Sequence, residues 1–160
     1  MVIGSASNYR YMEDLKIILA DPTDAEELSE ISLAAKSYWQ YPDEWLARWK
    51  KELTITPEYI ERHRVYTLQS IYQIVGFCAL EDHQDYYEVA HLWIRPAFMM
   101  KGLGKGLLHE TLSGVAAGAE VRVVADPHAK PFYQKQGFVA YDQVASTPPG
   151  RQLPLMRKVV

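Results

Sequence analysis

The apolar run Leu92-Trp93-Ile94 stops at Arg95-Pro96, and glycines then open a helical stretch, Gly102-Leu103-Gly104-Lys105-Gly106-Leu107-Leu108. Few backbone arrangements satisfy that order. Proline interrupts a strand ladder, and glycine reaches dihedral angles closed to other residues. The segment therefore predicts a strand, a short loop and a helix N-terminus in succession. The first N–H groups of a helix have no internal partner, and the helix dipole makes that end favourable for an anion. Lys101 and Lys105 add positive charge beside it. A pyrophosphate is the ligand such an end suits.

Two common phosphate-binding patterns do not fit. GxxxxGK(S/T) fails because Gly106 is followed by Leu107, and GxGxxG fails because Leu107 stands where its third glycine belongs. The missing lysine also argues against a nucleotide-dependent phosphotransferase. The stretch Met99-Met100-Lys101-Gly102-Leu103-Gly104 instead resembles the coenzyme A loop, Q/R-x-x-G-x-G/A, of the GCN5-related N-acetyltransferase (GNAT) family. Both glycines match, and Met99 replaces the usual Gln or Arg. A second stretch, Asp126-Pro127-His128-Ala129-Lys130-Pro131-Phe132-Tyr133-Gln134-Lys135-Gln136-Gly137-Phe138, resembles the same family's N-A-x-x-F-Y-x-K-x-G-F segment. Here Ala129, Phe132, Tyr133, Lys135, Gly137 and Phe138 match, and His128 stands in for Asn.

The remaining pattern agrees with that order of elements. Lys16 to Leu19 reads as a strand. Asp21-Pro22-Thr23-Asp24 is a helix-start signal, and Ala25, Leu28, Ile31, Ala34 and Ala35 recur at helical spacing up to about Tyr38. An aromatic joint, Tyr38-Trp39-Gln40-Tyr41, leads into a second helix from Pro42 to about Leu53, and a short helical turn spans Thr56 to His63. Strands follow at Val65–Gln69, Gln73–Leu80 and Tyr87–Ile94, with Glu81 to Asp85 as a polar turn. A helix runs from about Gly104 to Gly118, a fifth strand covers Glu120–Ala125, a helix covers Lys130–Gln136, and strands at Phe138–Val144 and Leu153–Val159 close the chain. The expectation is an α/β domain, GNAT-like, with a mixed, mostly antiparallel central sheet of about seven strands and helices on both faces.

Composition narrows the function classes. The chain has 160 residues, 48% hydrophobic and 23% charged, which suits one globular domain. We expect that domain over residues 15–160, preceded by a flexible lead-in at 1–14. A formal net charge of −3 argues against a nucleic-acid binder. No apolar run reaches membrane-spanning length and no secretory signal is visible, so the cytoplasm is the expected compartment. Cys78, the single cysteine, excludes an internal disulfide and reads as a buried thiol. The five histidines are scattered without HxxxH or HExxH spacing, so no metal is expected.

The resemblance implies acetyl-CoA as co-substrate and a primary amine, on a small molecule or a protein, as acceptor. Pantetheine would lie in a splay between the fourth and fifth strands, against Leu92, Trp93 and Ile94. The pyrophosphate would sit on Met99, Met100, Lys101, Gly102, Leu103, Gly104 and Lys105, with His128 and Phe132 as further coenzyme contacts. Tyr133 would donate a proton or hydrogen bond to the departing thiolate. For the base, Glu88 stands eleven residues before Met99, where several family members carry a glutamate, and His91 is the rival. In a regular strand these two residues face opposite ways, unless a bulge intervenes. Tyr38, Trp39 and Tyr41 are candidates for the acceptor pocket, although rings in such a joint also serve to pack helices. The family implies a homodimer through the sheet edge or the final strands. The alternative function is a coenzyme A-binding sensor on the same fold, favoured by the departures at Met99 and His128.

Overall fold

The computed structural model describes residues 14–160, so the lead-in expected at 1–14 lies, apart from Asp14, outside the described residues. The organising element is strand β3 (Ile74–Asp82), in which Ile74 through Leu80 are all buried. A strand buried on both sides needs cover on both faces. It is central in a seven-stranded sheet with β1 (Lys16–Leu19), β2 (Arg64–Gln69), β4 (Tyr87–Ile94), β5 (Glu120–Val124), β6 (Val139–Ala145) and β7 (Gln152–Val159). The order is β1-β2-β3-β4-β5-β7-β6, and only the β4–β5 pair runs parallel.

Helices cover the two faces as the pattern predicts. On one face, α4 (Leu103–Leu112) and α5 (Lys130–Lys135) bring Leu107, Leu108 and Tyr133 against Cys78, Leu80, Val89, Val121 and Met156. On the other, α1 (Ala25–Ser37) and α3 (Pro57–Arg62) bring Leu28, Ile31 and Ile60 against Phe77 and Ala79. Each large apolar side chain so buried stabilises the fold by roughly 1.5–3 kcal/mol relative to exposure. Helix α2 (Asp43–Leu53) is amphipathic and buries Trp49 and Leu53. The hydroxyl of Ser32 donates to the Leu53 carbonyl, and Ser29 Oγ accepts from the Ile55 N–H at 2.8 Å, fastening the helix pair.

Most boundaries shift by one residue, and three differ in kind or by more than that. The Asp21-Pro22 start signal forms a 3₁₀ turn, Pro22–Asp24, with reciprocal Asp21 and Asp24 caps, before α1 begins at Ala25. Glu81 and Asp82 belong to β3 rather than to a turn, because they pair across the hairpin with Glu88 and Tyr87. Helix α4 ends at Leu112, not Gly118. Ser113 closes a tight bond to Glu110, and Gly118 takes a φ of 90°.

Two irregularities matter for the site. Ala79 pairs with His91 and Leu80 with Val89, so Ala90 is bulged out of β4. A single inserted residue reverses the side-chain alternation beyond it. Glu88 and His91 therefore share one face of the sheet, contrary to regular alternation. Gly76 lets β4 approach closely: a Cβ there would lie 2.6 Å from the Trp93 carbonyl oxygen and from Ile94 Cδ1.

Candidate active site

Strands β4 and β5 pair only at Tyr87–Val121 and Glu88–Arg122. Beyond that point β4 stays with β3 while β5 follows β7, and the bulged Ala90 sits where the strands part. A cavity of about 290 Å³ opens past this fork. Its walls come from Leu92, Trp93 and Ile94 on β4, from Asp126, His128 and Ala129 after β5, and from Phe132 and Tyr133 on α5. Ala35, Tyr38 and Trp39 close the side near α1, and Phe98, Met99, Met100 and Gly102 through Lys105 close the other end.

The glycine loop has the geometry its sequence predicts. Gly102 takes a φ of 75° as the residue before α4, a left-handed conformation that side chains disfavour. The first helical bond runs from the Gly106 N–H to the Gly102 carbonyl, at 3.4 Å. The N–H groups of Leu103, Gly104 and Lys105 thus lie free at the helix end, on the cavity side. Met100 is also left-handed and almost fully exposed. Lys101 is exposed and is not among the lining residues. Gly104 faces the cavity: a Cβ built on it would meet the Phe132 ring at 3.6 Å and Ile94 Cγ1 at 3.9 Å, both ordinary contacts.

Tyr133 is 6% exposed and is held edge-on by Phe132 and Phe138, with centroids 5.1 and 5.4 Å away. Its hydroxyl has no hydrogen-bond partner among the described residues, although the residue lines the cavity. Burial pushes this phenol well above its ordinary pKa, so it stays protonated and able to donate.

Asp126 is the charged centre of the opposite wall, and motif reading did not single it out. Lys36 Nζ lies 2.5 Å from its Oδ2, Tyr41 Oη donates to the carboxylate at 3.0 Å, and the His128 N–H donates to Oδ1 at 2.9 Å. Arg151 Nη2 lies 3.6 Å away. Burial alone would raise this carboxyl, but Lys36, the His128 N–H and Tyr41 hold it below its usual range. Lys36 and Arg151 both lie over the Trp49 ring, 4.7 and 4.5 Å from its centroid. Tyr41 therefore stands behind the wall, as a partner of Asp126, while Tyr38 and Trp39 reach the cavity. The Trp39 ring stacks on His128 at 4.4 Å, with planes 1° from parallel. The Asp-Pro turn signal was readable, but its partners Lys36 and Arg151 come from 90 positions before it in the chain and from the β6–β7 connection.

Glu88 and His91 do not line the cavity. Glu88 points to the hairpin end, where His83 Nε2 lies 3.1 Å from its carboxylate and 3.5 Å from that of Glu81. His91 packs among Tyr59, Phe77 and Trp93, and its Nδ1 accepts from Trp93 Nε1–H at 3.0 Å. That enclosure depresses its pKa to about 4. The ligand atoms of Glu81, His83 and Glu88 lie within 4.8 Å of one another. Cross-strand pairing brings these three together, which sequence spacing could not reveal.

Comparison with known proteins gives a consistent pattern. Residues 38–147 match the acetyltransferase (GNAT) domain family. None of the curated proteins compared matches the chain. Among solved structures, the PaiA N-acetyltransferase of Thermoplasma acidophilum, in complex with coenzyme A, is 21% identical, with a TM-score of 0.72 over 91% of this chain and 99% of its own. A GCN5-related N-acetyltransferase of Rhodopseudomonas palustris is also 21% identical, with a TM-score of 0.68 over 91% and 94%. The apo form of YjaB from Escherichia coli is 20% identical, with a TM-score of 0.65 over 89% and 95%.

Proposed function

Because the chain belongs to the acetyltransferase (GNAT) family, we propose that it transfers an acetyl group from acetyl-CoA to a primary amine on a small molecule or a protein. The observation that carries this reading is one shared cavity. The free N–H end of α4 and the unpartnered Tyr133 hydroxyl both open onto it. The coenzyme-bound relative from Thermoplasma acidophilum supports coenzyme A as the ligand.

Under this reading Gly102 through Lys105 receive the pyrophosphate, and the backbone edge of Leu92, Trp93 and Ile94 that β5 leaves free receives the pantetheine. Met99, Met100, Lys101, His128 and Phe132 border the same ligand. The apolar rings exclude water, which strengthens every polar interaction inside. The amine nitrogen bonds to the thioester carbonyl carbon, the C–S bond breaks, and the departing sulfur takes a proton from Tyr133. The reaction returns an amide, the coenzyme A thiol and one proton from the original ammonium. Tyr38 and Trp39 flank the acceptor entrance.

Titration calorimetry with acetyl-CoA, followed by a thiol-release assay over a panel of primary amines, tests the proposal. Binding followed by thiol release is expected. Binding without release to any amine would leave the coenzyme A sensor in its place.

A further inference from the structure

Removing a proton from the acceptor ammonium needs a base in the cavity, and this inference rests on the acetyl-transfer reading above. Among the described residues, the titratable ones that line the cavity are Tyr38, Lys105, Asp126, His128 and Tyr133. Lys105 belongs to the cationic helix end. Tyr133 is kept protonated by burial, and the proposed reaction assigns its proton to the departing sulfur. The Asp126 carboxylate is occupied by Lys36, Tyr41 and a backbone N–H. Its lone pairs serve the fold.

We infer that His128 is the proton acceptor for the amine. His128 lines the same cavity as Tyr133 and is also exposed, so a proton taken from the substrate can pass to water. Imidazole is the side chain best suited to proton transfer near neutrality. The ring is pre-positioned from two directions. Trp39 stacks flat on it at 4.4 Å, and Tyr41 meets it edge-on at 5.7 Å. Its backbone N–H is fixed by Asp126 at 2.9 Å, and Lys36 with Tyr41 fixes Asp126 in turn. Neither ring nitrogen has a hydrogen-bond partner among the described residues. That leaves both for substrate and solvent, whereas His91 spends its Nδ1 on Trp93.

The charged and titratable groups facing His128 are few. The Tyr41 phenol comes from the α1–α2 joint, and the Asp126 carboxylate from its own turn, with Lys36 and Arg151 behind it. Tyr38, Lys105 and Tyr133 share the cavity.

In the step itself the ammonium gives one proton to the His128 imidazole, and the freed amine attacks the thioester carbon. As the C–N bond forms and the C–S bond breaks, sulfur takes the Tyr133 proton. The nitrogen's second proton restores Tyr133, and His128 releases its own to water.

The test compares wild type, His128→Gln and His128→Ala in the thiol-release assay. The acceptor is the fastest of phenylethylamine, butylamine and lysine amide, and acetyl-CoA affinity is measured by calorimetry. Both variants are expected to lose about 100-fold in kcat at neutral pH, the usual scale for a positioned base. Because His128 also borders the coenzyme, acetyl-CoA affinity should fall too, but far less than kcat. Their rates should rise with pH as the free amine forms, and added imidazole should restore part of the rate to His128→Ala. Variants that kept wild-type kcat and its pH profile, or that lost only acetyl-CoA affinity, would overturn the assignment. A wild-type protein that bound acetyl-CoA but acetylated none of the three amines would remove the step and this role together. One that bound no acetyl-CoA would refute the acetyl-transfer reading first.

Discussion

Lys36 and Asp126 form an ion pair at 2.5 Å, with side chains only 10% and 11% exposed, and Asp126 itself lines the cavity. The pair joins α1 to the turn that carries His128, and thereby joins the helical cover to the second motif. An ion pair of this kind adds little net stability over apolar packing, but losing one partner leaves the other charge buried and alone. Lys36→Met should lower stability in urea, by less than the about 3–5 kcal/mol of an isolated buried charge, because Tyr41 and the His128 N–H still hold Asp126 and Arg151 lies 3.6 Å away. Removing both charges with Lys36→Met and Asp126→Asn together should cost less than the sum of the single losses. Equal additive losses would show that the two side chains are not coupled.

His91 makes stability depend on pH. Its folded-state pKa is depressed by burial from 6.5 to about 4, so the unfolded chain binds the proton more readily. Stability is full above the unfolded value, then falls as pH drops from about 6.5 towards 4, by up to about 3 kcal/mol from this residue. His91→Gln, which retains an acceptor for Trp93, should flatten that slope in urea titrations at stepped pH. A slope unchanged in the variant would assign the loss to other groups.

Substitution at Gly104 should separate coenzyme affinity from folding. A Cβ here meets the Phe132 ring and Ile94 at ordinary contact distances, and both residues line the cavity. Gly104→Val should abolish acetyl-CoA binding in calorimetry while moving the melting temperature little. Gly76→Ala should do the reverse at its origin. Its Cβ would collide with the Trp93 carbonyl at 2.6 Å, so a lowered melting temperature is expected before any change in ligand affinity.

Cys78 is fully buried, and burial raises its thiol pKa to about 12. The native protein should react with a chromogenic disulfide reagent only after denaturation, because the thiolate is the nucleophile. One equivalent should then appear, since the chain has a single cysteine. Rapid reaction of the folded protein would contradict the packing around β3.

What was legible in the sequence was whatever local chemistry dictates. Gly102 and Gly104 announce a helix end with free N–H groups, and the unbroken apolar run from Ile74 to Leu80 announces a central strand. Phe132-Tyr133 marks the second motif, whose tyrosine does reach the cavity. What stayed hidden depends on register and distance. Alternation places Glu88 and His91 on opposite faces, yet one bulged residue, Ala90, puts them on the same face and away from the cavity. Nothing local ties Lys36 to Asp126, or Arg151 to Tyr41, because those contacts form only when α1 and the β6–β7 connection fold over the fork. Glu81 lay in an expected turn, since its partners Tyr59 and His83 come from another helix and from the hairpin tip.

The most direct test of the central claim is calorimetric titration of acetyl-CoA into wild type and Gly104→Val, with NAD and ATP as controls. One-site, micromolar binding of acetyl-CoA to wild type is expected, with none to Gly104→Val and no comparable heat from NAD or ATP. Failure of wild type to bind acetyl-CoA, or equal binding by the variant, would contradict the assignment of this cavity to coenzyme A.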